Sequence, residues 1–196
     1  MRKVFFTSDT HFGHKNVIQY SDRPWETVEE MNEGLIERWN SRISKNDTVY
    51  HLGDFCLTKR IDLIDPWLTS LNGEIRLVKG NHDDWVRRFD RLSDEAQAKI
   101  KWIRDYAERT FEVDGKKWKL ILSHFPMLFW HNSHHGSIML HGHCHGHAQQ
   151  HNVGVRRYDV GVDANGWYPV QLEDIVAKMM TIGLNPHHDR HKQEEE

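Results

Sequence analysis

SIMLHGHCHGHAQQH, residues 137–151, changes character after its fourth residue. Ser137 to Leu140 is a short apolar run of strand type, and the remainder holds five of the chain's sixteen histidines. His141, His143, His145 and His147 fall on alternate positions. Taken alone, the stretch fits a metal site, a flexible polar run or an extension of the His-rich C-terminus. The choice depends on whether other strands of the chain end the same way.

They do. Residues 3–8 (KVFFTS) read as a buried strand and are followed by Asp9 and His11. TVYHLG (48–53) ends in Asp54, EIRLVKG (74–80) in Asn81, His82 and Asp83, and KWKLILS (117–123) in His124. Between the strands, 27–43 opens on a capping box, Thr27 with Glu30, and carries Val28, Met31, Leu35, Trp39 and Ile43 at helical spacing. Residues 59–71 read as a helix around Ile61, Ile64 and Leu68 with a kink at Pro66, and 84–109 as charged and mostly helical. TFEVD (110–114) reads as a strand, with Asp114-Gly115 as a hairpin turn. YDVGV (158–162) is the last strand and runs up to Asp163; LEDIVAKMM (172–180) is a closing helix. Strands alternating with helices predict an α/β layered fold, in which ligands collect outside the carboxyl ends of the strands. One Asp at a strand end is ordinarily a turn or cap residue, and one His a satisfied core or surface group. Five strand ends in order that carry Asp, Asn or His point to one shared site.

Mixed carboxylate, amide and imidazole donors suit Mn, Fe, Zn, Ni or Co, whereas Mg and Ca prefer all-oxygen surroundings. Seven ligands are too many for one tetrahedral ion and suit two ions sharing a carboxylate. On an extended segment, residues i and i+2 stand ~6.6–7 Å apart on one side, so His143 and His145 would each serve a different ion ~3.5–4 Å from its neighbour. Gly142 and Gly146 make a bend there, which leaves His141 and His147 as supporting or structural residues.

The remaining composition narrows the function classes. At 196 residues, with 38% hydrophobic and 28% charged content, the chain reads as one soluble globular domain over 1–183. The polar tail 184–196 has nothing apolar to bury and is expected to be disordered. No apolar run approaches the ~20 residues of a membrane span, and the N-terminus does not read as a signal peptide. Two cysteines suggest a reducing, cytoplasmic setting. A net charge of −3 does not favour nucleic acid as the main partner.

Asp9-Thr10-His11, Gly53-Asp54, Gly80-Asn81-His82-Asp83, His124 and Gly142-His143-Cys144-His145 together resemble the calcineurin-like metallophosphoesterases, in family order over roughly residues 3–163. SDTHFGHKNVI (8–18), DRPW (22–25) with VEEMNEGLIERWN (28–40), SHFP with a following Trp (123–130) and LHGHCHG (140–146) are similar to a small bacterial and phage branch of predicted phosphoesterases. The resemblance implies a four-layer fold, a central β-sandwich flanked by helices, with a dinuclear site at the strand C-terminal ends. It implies two divalent cations, Mn²⁺ foremost. Asp9, His11, Asp54 and His145 would hold one, and Asp54, Asn81, His124 and His143 the other, with Asp54 bridging. Hydroxide shared between the ions would attack phosphorus, with His82 assisting the leaving group. Asp83 would orient His82 or cap the following helix. His14, Asn16 and Arg23 are candidate substrate contacts, and Arg23, Arg156 and Arg157 candidate phosphate clamps. Phe125, Phe129 and Trp130 either line a pocket, stack a base or pack. Cys144 stands where the family often has Thr or Ser. The substrate reading leans to small or nucleotide-like phosphodiesters; the alternatives are a phosphomonoesterase, a protein phosphatase or an inactive scaffold.

Overall fold

The computed structural model describes residues 2–183; the tail 184–196, including the expectation of disorder there, lies outside the described residues. Strict alternation along the strands builds two cores back to back. In β1 (Val4–Thr7), β2 (Thr48–His51) and β3 (Glu74–Val78), the residues Phe5, Val49, Ile75 and Leu77 face a helical layer. Their neighbours Phe6, Tyr50 and Val78 face a second sheet. The helical layer is α1 (Lys15–Tyr20), α2 (Val28–Arg42), α3 (Ile61–Ser70) and α4 (Asp94–Lys99). α2 buries Met31, Leu35 and Trp39, with Ile43 buried at its C-cap. The Thr27/Glu30 capping box satisfies its first turn. Pro66 lies inside α3, past its first turn, where it forgoes one backbone hydrogen bond, yet the helix runs on to Ser70.

The first sheet has the order β4-β3-β2-β1-β9, where β4 is Ile100–Arg104 and β9 Val170–Gln171, and only β9 is antiparallel to its neighbour. The second has the order β5-β6-β7-β8, from Tyr106–Val113, Lys116–Ser123, Ile138–His141 and Arg157–Asp159. Leu120, Leu122, Ile138 and Leu140 enter the core between the sheets together with α5 (Leu172–Met180). Ile121 and Met139 face outward under Trp130. At the β5–β6 hairpin, Asp114 and Gly115 both have positive φ, +51° and +73°, as a two-residue type I′ turn requires.

The charged region 84–109 is helical only in its first part. A 3-10 helix, Asp84–Arg91, and α4 give way to β4 and then β5. β4 is an edge strand that carries Lys101 and Arg104 and is followed by Asp105, charges that mask the pairing of Ile100, Trp102 and Ile103 with β3. Two strands therefore separate the third site-bearing strand end from the fourth. β6, β7 and β8 run parallel, as do β1, β2 and β3. A parallel bridge between Ser8 and Gly161 joins the two sets just beyond β1 and β8. Among the described residues no helix is long and apolar enough to cross a membrane.

Candidate metal centre

Backbone conformation marks the site before any side chain does. Among the described residues nine non-glycine residues have positive φ, and five of them are Asp9 (+58°), His11 (+51°), Asp54 (+56°), His143 (+70°) and His145 (+48°). Residues held in this region cost energy and persist only where surrounding structure fixes them. Here the fixing comes from strand-end hydrogen bonds. Asp9 N donates to Gly53 O, His11 N to Asp54 O and Gly142 N to His124 O. Close approach of backbone also demands glycine: a Cβ on Gly80 would collide with the Asp54 carboxylate, and one on Gly142 with Ser8 and Asp9.

The turns bring together two groups. Ligand-capable atoms of Asp9, His11 and His145 lie within 4.8 Å of one another, and so do those of Asp54, His124 and His143. Asp54 Oδ2 is 3.6 Å from His11 Nε2 and 3.4 Å from His124 Nε2, so this carboxylate stands between the groups. Asn81 Oδ1 lies 3.1 Å from His124 Nε2 and adds an oxygen to the second group. The groups are stitched to each other where the His143 N–H donates to both oxygens of Asp9 at 3.0 Å, and the His82 N–H ties its own loop to Asp54 Oδ1 at 2.8 Å. His143 and His145 do fall in different groups, but not because the segment is extended. Its left-handed turns separate them.

A model of the calcineurin-like phosphoesterase superfamily domain matches residues 2–163. The chain belongs to that superfamily. It is 35% identical over 188 residues to an uncharacterized protein of Methanocaldococcus jannaschii, covering 93% of this chain and 94% of that one. It is 31% identical to the Gene 66 protein of Mycobacterium phage D29, covering 92% and 96%. The fold is shared with a crystal structure of a protein of unknown function from Aquifex aeolicus, at TM-score 0.64 and 21% identity over 91% of this chain and all of that one.

A phosphoesterase of this family needs cations, and the residues fit them. Both ring nitrogens of His11 are buried without a hydrogen-bond partner, and coordination of a cation would satisfy one of them. His124 and His145 each have one nitrogen tied back and the other turned to the centre: His124 Nδ1–H donates to Leu52 O at 2.8 Å, and His145 Nδ1 meets Asp163 Oδ2 at 2.7 Å. That arrangement fixes the tautomer of a metal-binding histidine. Burial pushes the Asp9 carboxyl up to about 7, against the pull of His124 and His145. Burial would raise Asp54 too, but the hydrogen bond and charge of His124 hold it well below the usual carboxylate range. Burial also drives His11 well below its ordinary pKa, which keeps the ring neutral and one nitrogen's lone pair free.

Three expectations are corrected. Asp83 neither orients His82 nor caps the next helix. Its buried carboxylate accepts from the N–H groups of Asp54, Phe55 and Gly80 and from Trp85 Nε1, at 2.8–2.9 Å, and makes no cap bond. Arg23 is no phosphate clamp: buried, it grips both oxygens of Asp163 and the carbonyls of Asp9 and Thr10. Arg156 and Arg157 are likewise engaged inward, Arg157 with Asn152 and Met127 O, Arg156 with Ile182 O and Gly136 O. Asp163 was missed as a site residue although it follows β8 just as the ligands follow their own strands.

His82 is half-exposed, its Nε2 4.0 Å from Asp54 Oδ2. His14 shares a cavity of about 330 Å³ with His11, His82, His145, His147, Tyr20 and Ser21. Asn16 is exposed at the start of α1. His141 is buried, with Nδ1 on Gly142 O and Nε2 on Asn152. Trp130 is buried on Ser137, whereas Phe125 and Phe129 are exposed. Cys56 is buried and Cys144 partly so; neither forms a disulfide.

Proposed function

We propose that the protein is a dinuclear phosphoesterase that favours small or nucleotide-like phosphodiesters. The observation that carries this reading is the pair of ligand groups meeting at Asp54. Asp9, His11, Asp54 and His145 would hold one divalent cation, and Asp54, Asn81, His124 and His143 the other. Mn²⁺ is the first choice, and Fe, Zn, Ni or Co also suit these donors. When bound, such a pair supplies Lewis acidity that acidifies water and neutralises phosphoryl charge. The chain's own residues do the rest. Asp163 fixes the His145 ring and Leu52 O the His124 ring, so both present one set nitrogen. Asp83 holds the backbone of Asp54 and Gly80 in place, and with it the loop that carries Asn81 and His82. His82 stands at the open side of the centre, where its imidazole would give a proton to the departing ester oxygen.

The test is hydrolysis of aryl phosphate monoesters and diesters by the metal-free protein before and after Mn²⁺ is added. Turnover that needs the metal and is faster for diesters supports the reading. Faster monoester turnover would make the enzyme a phosphomonoesterase, and tight metal binding without turnover of any ester would leave a scaffold.

A further inference from the structure

The ligand groups are flanked by two cavities, one against each group. The first, of about 330 Å³, touches His11 and His145 of one group, and also His82. The second, of about 400 Å³, is lined by Asn81 and Phe125, with Lys79, Arg87, Asp84 and Asp105. Phe125 packs its ring edge-on against His124 and His143 of the other group, at 5.0 and 4.7 Å between centroids. It nonetheless remains 49% exposed, so a face is left for a ligand. A phosphomonoester has one organic arm and fills one cavity; a diester has two.

The charges of the second cavity are already paired. Lys79 Nζ lies 2.8 Å from Asp105, and Asp84 binds Lys59 at 2.7 Å with Arg87 at 3.6 Å. Such a cavity has no excess charge to attract a second phosphate. It offers an aromatic face rimmed by polar groups, which suits a neutral heterocycle. The first cavity contains His82, the proton donor of the proposed reaction, so the arm whose oxygen departs belongs there.

Resting on the phosphodiesterase reading above, we infer that the substrate is a nucleoside phosphodiester, with the retained nucleoside stacked on Phe125 and the leaving arm in the cavity of His14, Tyr20 and His82. Two probes with one leaving group separate the arms: the p-nitrophenyl ester of thymidine monophosphate and methyl p-nitrophenyl phosphate. The Mn²⁺-loaded protein should show a KM about 5- to 150-fold lower for the thymidine ester, the range that stacking of one base supplies. Phe125→Ala should erase that gap by raising the thymidine KM alone, and Phe125→Trp should keep it. Tyr20→Ala should raise both KM values together, because both probes share the leaving arm. Calorimetry gives a readout independent of turnover: wild type should bind thymidine monophosphate more tightly than inorganic phosphate, and Phe125→Ala should not. Hydrolysis of both esters with no gap, or equal losses on both with Phe125→Ala, overturns this inference and leaves the phosphoesterase reading standing. Failure to hydrolyse either ester overturns both.

Discussion

The two halves of the centre are built from similar ligands but supported differently. Behind His145 stands a buried charged pair, Asp163 with Arg23, whose guanidinium also holds the carbonyls of Asp9 and Thr10. Behind His124 stands only the neutral carbonyl of Leu52. The second half has its own buried carboxylate, Asp83, but that group binds backbone N–H groups and touches no ligand ring. His143 and Asn81 of the second half are exposed, whereas Asp9 and His11 of the first are buried. A carboxylate behind a histidine makes it a stronger ligand than a carbonyl does. On the two-cation proposal, the first half would hold its cation more tightly and the second would exchange its own more readily.

The largest expected effect falls on a residue belonging to neither half. His82→Ala should lower turnover about 10²- to 10⁴-fold with both cations still bound. The loss should be greater for an alkyl leaving group than for p-nitrophenolate, which departs without a proton. Equal losses for both would remove His82 as the acid. Next comes the contrast between the carboxylates. Asp163→Asn should weaken one cation roughly 10- to 100-fold, leaving the other within a few-fold in a stepwise metal titration. It should also lower stability, because Arg23 loses its buried counter-charge.

Asp83→Asn should act on the backbone and not on one ligand ring: a smaller affinity loss than in Asp163→Asn, spread over both cations, and about 1–3 kcal/mol of stability lost as its donors go unsatisfied, read as a fall in Tm of roughly 2–12 °C. Matching metal-binding losses in the two variants would erase the proposed difference between the halves.

The smallest effect at neutral pH concerns His51, which lies behind Thr10 of the first half. Its Nδ1 accepts from Gly53 N–H at 3.2 Å and its Nε2 meets the Thr10 hydroxyl, which itself donates to Phe55 O. Only the neutral ring satisfies all three, and burial pushes its pKa down to about 3. The unfolded chain takes up this proton near pH ~6.5, whereas the folded chain does not until about 3. His51 therefore costs no stability above ~6.5, and up to ~1.4 kcal/mol is lost per pH unit below it. Replacing it by Gln should flatten the fall in Tm between those limits. An unchanged slope would place the acid sensitivity elsewhere.

Much of this could be read in the chain because ligand identity follows chemistry that spacing preserves. Asp9, His11, Asp54, Asn81, His124, His143 and His145 each follow an apolar run, and the structure gathers them at one end of the sheets. α2 was legible from its period and its cap, and the hairpin from Asp114-Gly115. What the sequence hid was direction. Asp83 is chemically able to face His82 or the backbone, and four N–H donors behind it decide for the backbone. Arg23 looks like a surface clamp until Asp163, 140 residues later, is placed beside it. The left-handed turns at Asp9, His11, Asp54, His143 and His145 fall on residue types enriched among non-glycines at positive φ, but nothing in the spacing marks which of the chain's many Asp and His residues adopt them. β4 was lost because an edge strand shows charge where a central one shows alternation.

The most direct test of the two-cation centre is a Mn²⁺ titration of the metal-free protein followed by electron paramagnetic resonance. Two ions per chain with an exchange-coupled signal, as expected for cations ~3.5–4 Å apart sharing Asp54, are predicted, with the coupling lost in Asp54→Ala. A single ion, or two that bind without coupling, would contradict it.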